Sequence, residues 1–240
     1  MATRRILITR PEPGASATTK AVRTLGLEPV LLPLTQIVSL PQARTIDADA
    51  FDAVAATSAN ALRHAAKTTL QPLLQLPCHA VGAATAASAT GVGFSTVTPR
   101  CASAAGLASA IVGELPNSAR IAYLCGRVRL PVFEAELSGA GLRVTPIETY
   151  DTQSTDYSDA ELSRILTTPV DCALVHSALA ADALGVLVER PGLAERFANT
   201  DFFCISARVA SRLDARIAER VQIAARPDDD ALLAMLASEI

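Results

Sequence analysis

Residues 143–153 read RVTPIETYDTQ, and the fold turns on them. A strand-like run leads in, Pro146 interrupts it, Tyr150 is an aromatic in an exposed setting, and the polar, loop-like DTQSTD follows. Residues 32–40, LPLTQIVSL, have the same character. The two segments read as paired extended crossings between two domains, with Tyr150 facing the gap between them.

Outward from these segments the chain repeats itself. RRILITRPEPGASATTKAVRTLGLEPVLLPLTQI aligns with ARIAYLCGRVRLPVFEAELSGAGLRVTPIETY, FDAVAATSANALRHA with VDCALVHSALAADAL, and CHAVGAATAASAT with FFCISARVASRL. The offset, roughly 115–125 residues, is one domain's worth and not a solenoid period. The repeat boundary and the crossings do not coincide: the chain leaves one domain after a single β-α-β unit, builds the other, and returns. Residues 1–35 with 153–240 are therefore expected to form a discontinuous domain and 36–152 the second, with crossings near 34–40 and 145–151. In a chain of 240 residues each domain is large enough to bury a core.

Short apolar runs that read as buried strands fall at 5–9, 28–32, 52–56, 79–82, 94–97, 120–125, 142–146, 172–176, 202–205 and 221–224. Helical patterns occupy 14–25, closed by Gly26, and 58–67, where Ser58 can cap. Others fall at 83–90, 103–113, 131–138, 159–166, 179–188, 208–218 and 229–238, and a polar loop spans 42–49. Apolar strands alternating with amphipathic helices imply parallel sheets covered on both faces, five strands to each domain.

Half of the residues are hydrophobic and 19% are charged, which excludes a disordered chain. The net charge of −3 argues against nucleic-acid binding driven by overall charge. MATRRILITRPEP has an apolar run too short for a signal peptide, and no stretch approaches the ~20 apolar residues of a bilayer span. The cysteines (Cys78, Cys101, Cys125, Cys172, Cys204) form no CxxC pair, which fits reduced thiols in a cytoplasmic protein. The histidines are dispersed without metal-ligand spacing. Asp228-Asp229-Asp230 opens the last helix, where negative charge suits the helix N-terminus better than a metal.

In open parallel sheets ligands bind outside the carboxyl ends of the strands. Those ends carry Arg10, Thr57-Ser58, Gly82, Gly126, Ser177 and Ser206, each before a helix start whose backbone N–H groups favour anions. Two such rows facing each other suit a large, multiply anionic ligand. No triad, phosphate loop or dinucleotide fingerprint is present; Gly91-Val92-Gly93 follows a helix and lacks a third glycine. A non-catalytic protein closing on a small anion would carry an export signal, and a nucleotide-dependent transferase a phosphate loop or an acidic pair. Neither signature is seen.

The chain also resembles a family. ILITRP (6–11), DAVAATSANAL (52–62), AVGAATA (80–86), LCG (124–126), PIETY (146–150), LVHS (174–177) and CISARVA (204–210) are similar, in order, to motifs of uroporphyrinogen-III synthases, from Arg4 to about Leu236. The resemblance implies two flavodoxin-like α/β domains, each a five-stranded parallel sheet with flanking helices, joined by a two-stranded linker. It implies cyclisation of hydroxymethylbilane, a linear tetrapyrrole polycarboxylate, with inversion of ring D to uroporphyrinogen III. It further implies a cytoplasmic monomer with no cofactor, no metal, and no nucleic-acid or membrane partner. Tyr150 is similar to the tyrosine that assists the leaving hydroxyl. Arg10, Thr57, Ser58, Asn60, Gly82, Thr85, Gly126, Arg129, Ser177 and Ser206 are implied to bind substrate. This chain departs from the pattern in three places. The arginine often found after the glycine of LCG falls on Leu130, leaving Arg129 or Arg127 in its stead. His176 replaces Thr, and Ser206 and Val209 replace Gly and Thr.

Overall fold

The computed structural model describes residues 3–42, 46–99, 101 and 103–238, so the middle of the polar loop expected at 42–49 lies outside the described residues. In chain order the elements are β1 (Arg5–Ile8), α1 (Gly14–Thr24), β2 (Glu28–Leu31), β3 (Thr35–Ser39), β4 (Ala53–Ala56), α2 (Ala59–Arg63), α3 (Lys67–Leu73), β5 (Cys78–Ala80), α4 (Gly82–Val92) and β6 (Val97–Pro99). There follow α5 (Ala104–Glu114), β7 (Arg120–Gly126), α6 (Val132–Gly139), β8 (Arg143–Ser154), α7 (Asp159–Ile165), β9 (Cys172–Val175), α8 (Ala178–Val188), β10 (Asp201–Cys204), α9 (Ala207–Ala210), β11 (Val221–Ile223) and α10 (Asp229–Ala237). The chain divides into two compact units, one running to Gln36 and resuming at Gln153, the other Ile37–Thr152.

The first unit holds a parallel sheet in the order β2-β1-β9-β10-β11. Its central strands β1, β9 and β10 carry buried apolar runs because both their faces are covered, whereas the edge strands β2 and β11 are partly exposed. Leu7, Ala173, Val175, Phe202 and Cys204 enter one core with Leu162 and Leu184, while Ile6, Ile8, Cys172, Leu174 and Phe203 enter another with Val22 and Leu232. Each large side chain so buried contributes ~1.5–3 kcal/mol. In the second unit β8-β7-β4-β5-β6 are parallel. Ala53, Ala55, Tyr123 and Cys125 pack with residues of α5 and α6; Val54, Ala56, Ala122 and Leu124 pack with residues of α2, α3 and α4.

Matching the sequence repeats, β8-β7-β4-β5-β6 stand for β2-β1-β9-β10-β11, so these strands share one order in the two units. The match reaches single residues. Arg5 N donates to Asp171 Oδ2 at 2.6 Å and Arg120 N to Asp52 Oδ2 at 2.8 Å, closing the same strand start in each unit.

Several expectations need correction. The second sheet has six strands and not five, because β3 pairs with β8 at its edge. Leu40 N donates to Thr149 O at 2.9 Å and Thr155 N to Leu34 O at 3.0 Å, so one number falls as the other rises and the pair is antiparallel. β8 is one continuous strand of 12 residues, where a strand at 142–146 and a separate crossing were expected. Pro146 precedes the stretch that β3 covers, at a sheet edge where proline is tolerated. The strand expected at 94–97 begins at Val97. Phe94 N instead donates to Ala89 O and Gly93 N to Thr90 O, with Gly93 at φ +110°, a helix-ending motif that takes Phe94 into the core. Gly82 opens α4 and does not end a strand. The helix expected at 58–67 stops at Arg63 and α3 follows, since Gln42 spans the break: its side chain accepts from Ala66 N at 2.8 Å and donates to His64 O at 3.2 Å. The helix expected at 208–218 divides, because Asp214 is extended and accepts from Arg216 N.

One irregularity governs the surroundings of Tyr150. Between Cys125 and Gly126 the register with β8 slips, so that Cys125 faces Glu148 while Gly126 faces Tyr150. Thr149 is the extra residue of a β-bulge, a device that re-aims neighbouring side chains. It is fully buried, and its hydroxyl donates to Ala61 O at 2.8 Å, tying the bulge to α2. Thr149→Val keeps the shape but leaves that carbonyl without its partner. It should cost about 1–3 kcal/mol, read as a lowered urea midpoint, and Thr149→Ser should recover most of the loss.

Candidate active site

In the second unit the residues expected to act lie at the carboxyl ends of β4, β5, β7 and in β8. Thr57 follows β4 and its hydroxyl is 2.8 Å from that of Tyr123, whose pKa burial pushes up to about 12. Ser58 caps α2 by accepting from Asn60 N at 3.2 Å, and the Asn60 side chain accepts from Arg63 at 3.2 Å. Both are half-buried. Gly82 sits at φ +70°, and its N–H is taken by Cys101 O at 3.1 Å. Thr85 is buried inside α4. These side chains and groups are therefore engaged with the protein itself, and what they leave open is backbone at helix starts.

Gly126, Tyr150 and Arg129 form one cluster. The half-buried Tyr150 ring lies against Gly126 so closely that a Cβ there would come within 2.7 Å of Cζ and 3.0 Å of the hydroxyl. Only glycine permits this approach. Arg127 N donates to Tyr150 O at 2.9 Å, and the His64 ring is 6.1 Å from the tyrosine ring, centre to centre. Among the described residues no partner lies within hydrogen-bond distance of the Tyr150 hydroxyl.

Arg129 is not free. It donates to Glu134 at 3.0 Å, to Glu148 at 2.9 Å and to Gly126 O at 3.1 Å. The hydrogen bond to Glu134 and then that to Glu148 push its pKa above the ordinary arginine range, against its burial. Arg127 is the more exposed guanidinium, at 55% of its side chain, and faces Glu148 at 3.5 Å and Asp151 at 3.3 Å. Glu134, Glu148 and Asp151 were not singled out from the sequence, whereas Arg127 was named beside Arg129. Glu148, two residues before Tyr150 in PIETY, was the available signal.

In the first unit the cluster is Arg10, His176 and Asp229. Arg10 donates to Asp229 at 2.7 Å, and its guanidinium lies over Gly14, where a Cβ would be 2.3 Å from Nε. His176 Nε2 is 3.6 Å from the same carboxylate, and its side chain is only 8% exposed. Burial, then the Arg10 charge, lowers the imidazole from 6.5 to about 4, against the pull of Asp229. It is thus neutral at pH 7, and its contact with Asp229 is no ion pair. Ser177 caps α8 by accepting from Ala180 N at 3.1 Å, whereas Ser206 makes no capping bond at α9. Asp228 caps α10, so the acidic run serves a helix start and an arginine. Among the described residues no group of three or more His, Cys, Asp or Glu side chains could hold a metal, and no helix is long and apolar enough to cross a membrane.

Two units whose parallel strands share one order, with arginines and helix starts at the strand ends, define an α/β protein. A family model described as "Uroporphyrinogen-III synthase HemD" matches residues 16–234. The chain belongs to the uroporphyrinogen-III synthase family, whose enzymes cyclise hydroxymethylbilane in haem biosynthesis. It is similar in structure to the uroporphyrinogen-III synthetase of Helicobacter pylori, with a TM-score of 0.67 at 18% identity over 99% of this chain and 100% of the other. A mutant uroporphyrinogen III synthase of Thermus thermophilus gives a TM-score of 0.53 at 19% identity, over 99% and 97%. At these identities the likeness shows the fold. No curated protein matches the chain by sequence.

The buried imidazole yields a prediction. Its folded pKa lies below its unfolded one, so the unfolded chain binds the extra proton between about 6.5 and 4, and stability falls as pH drops through that window. His176→Thr removes this contribution. The variant's denaturation midpoint, followed from pH 7 to pH 4, should decline less steeply than that of the parent chain.

Proposed function

We propose that this chain forms uroporphyrinogen III with inversion of ring D and that Tyr150 assists departure of the bilane hydroxyl. The hydroxyl leaves as water, and the resulting azafulvene cation closes on the substituted carbon of ring D to give a spiro intermediate. Fragmentation and reclosure complete the product. The pyrrole nitrogen supplies the electron push, so the protein's work is to hold the chain in the geometry that forms the spiro centre and to aid the leaving group. The observation that carries this reading is Tyr150: a half-buried ring seated on Gly126 at the end of β7, its hydroxyl without a hydrogen-bond partner among the described residues.

In this reading each unit is flavodoxin-like, and the order β2-β1-β9-β10-β11 is the arrangement of that fold. Arg10, the helix starts beside Ser58, Gly82, Ser177 and Ser206, and the strand end at Gly126 receive carboxylates, backbone N–H groups being the chief donors. Arg10 would exchange Asp229 for a substrate carboxylate. No disulfide joins the described cysteines, which fits a cytoplasmic setting. The alternative of a non-catalytic anion-binding protein has no observation in its favour.

Tyr150→Phe keeps the ring on Gly126 and removes only the donor. General-acid assistance is worth ~10²–10⁴-fold, and the low end is expected because the pyrrole already drives ionisation. Bilane cyclises unaided to the type I isomer, so rate and isomer ratio are both read, using enzymatically generated hydroxymethylbilane and separation of isomers after oxidation. The variant should stay folded, form type III more slowly and release more bilane to type I. Unchanged rate and ratio would reduce Tyr150 to a structural aromatic.

A further inference from the structure

We infer that Arg129 is a positioning residue, which clamps the β7–β8 bulge so that Tyr150 is aimed, and that it is not a receptor for substrate carboxylate. The inference rests on the proposed role of Tyr150. A bulge leaves a ladder locally open, and its geometry must be held by something other than regular strand pairing. Arg129 spans this one. Its Nη1 donates at once to Gly126 O, on the β7 side, and to Glu148, the last β8 residue before the slip. Its Nε and Nη2 donate to Glu134, at the start of α6. A planar guanidinium with donors on several edges can make these bonds together, where an ammonium cannot reproduce the fork. The atom it holds matters because Gly126 is the surface on which the Tyr150 ring rests, 2.7 Å from Cζ for a hypothetical Cβ.

Charge points the same way. Arg127 and Arg129 share three carboxylates, Glu134, Glu148 and Asp151. The cluster carries an excess negative charge, so an incoming carboxylate would have to displace an acidic partner from Arg129, whose side chain is only 22% exposed. Thr149 anchors the same bulge from beneath through Ala61 O. The bulge is thus held from two sides, and Arg129 supplies the polar one.

The test separates positioning from binding. The chain has three tyrosines, so 3-fluorotyrosine labelling gives a small set of ¹⁹F resonances, with Tyr150 assigned through Tyr150→Phe and Tyr157, in the other unit, as the internal control. Arg129→Gln should move or broaden the Tyr150 resonance and leave that of Tyr157 in place. It should lower kcat by up to about 10²-fold, the cost of a misplaced group, with little change in KM and more type I product. In the Tyr150→Phe background the same change should add little, because both substitutions remove one function. Glu148→Gln, which keeps side-chain size, gives a milder version of each effect should Arg129→Gln fail to fold. An unmoved Tyr150 resonance overturns the inference. So does a raised KM whose effect multiplies with Tyr150→Phe, the signature of a carboxylate ligand. If Tyr150→Phe alone is silent, the proposed role of Tyr150 fails, and the fluorine spectrum still reports separately whether Arg129 holds the ring.

Discussion

A strand of twelve residues cannot leave its hydrogen-bonding groups without partners, and β8 meets that demand with two neighbours in succession. Through its first two thirds it pairs with β7. Toward its end it acquires β3 as an antiparallel partner, with Thr149 and Thr155 bonded to Leu40 and Leu34. The change of partner falls where the register with β7 slips. The buried hydroxyl of Thr149, the bare backbone of Gly126 and the ring of Tyr150 all answer to that slip. The catalytic reading of Tyr150 is therefore a reading of strand pairing: a ladder that changes partners produces an irregularity, and the irregularity sets where a side chain goes.

Much of the fold was legible because the central strands are buried on both faces. RILI, AVAA and CALV are unbroken apolar runs with no competing periodicity, and their repetition at domain spacing fixed which strands correspond. Failures came where a distant or non-apolar group decided the outcome. Phe94 looked like the start of a strand, but its backbone closes a helix while its ring enters the core. Nothing near His64 marks a break; Gln42, far back in the chain, supplies the bonds that make one. Asp214 could be an exposed helical residue or a cap, and local sequence does not choose between them. The pairing of 32–40 with 143–153 was legible, but not that β3 thereby joins the second sheet as a sixth strand, because Pro146 disguised the length of β8.

The site was legible as positions and illegible as partners. Arg10, Ser58, Gly126 and Ser177 stand at or beside strand ends, which topology dictates, while Tyr150 lies within β8 beside the end of β7. Their engagement depends on side chains that spacing does not reveal: Asp229 for Arg10, Glu134 and Glu148 for Arg129. An arginine in a promising motif is a charge until its neighbours are known. Here the half-buried, multiply bonded one and the exposed one are two residues apart, and only the pattern of carboxylates distinguishes them.

The split of the first unit has a bearing on synthesis. β1 has its native neighbour β9 only after some 166 intervening positions have been made, as the bond from Arg5 N to Asp171 marks. The segment Ile37–Thr152 emerges whole in the meantime and contains every strand of its own parallel sheet. On a ribosome, where chains appear from the N-terminus and domains fold as units, the later-numbered unit is free to form first. Ile6, Leu7 and Ile8, each wholly buried in the finished molecule, can meet α1 and β2 early but gain β9 only when the last third of the message is read.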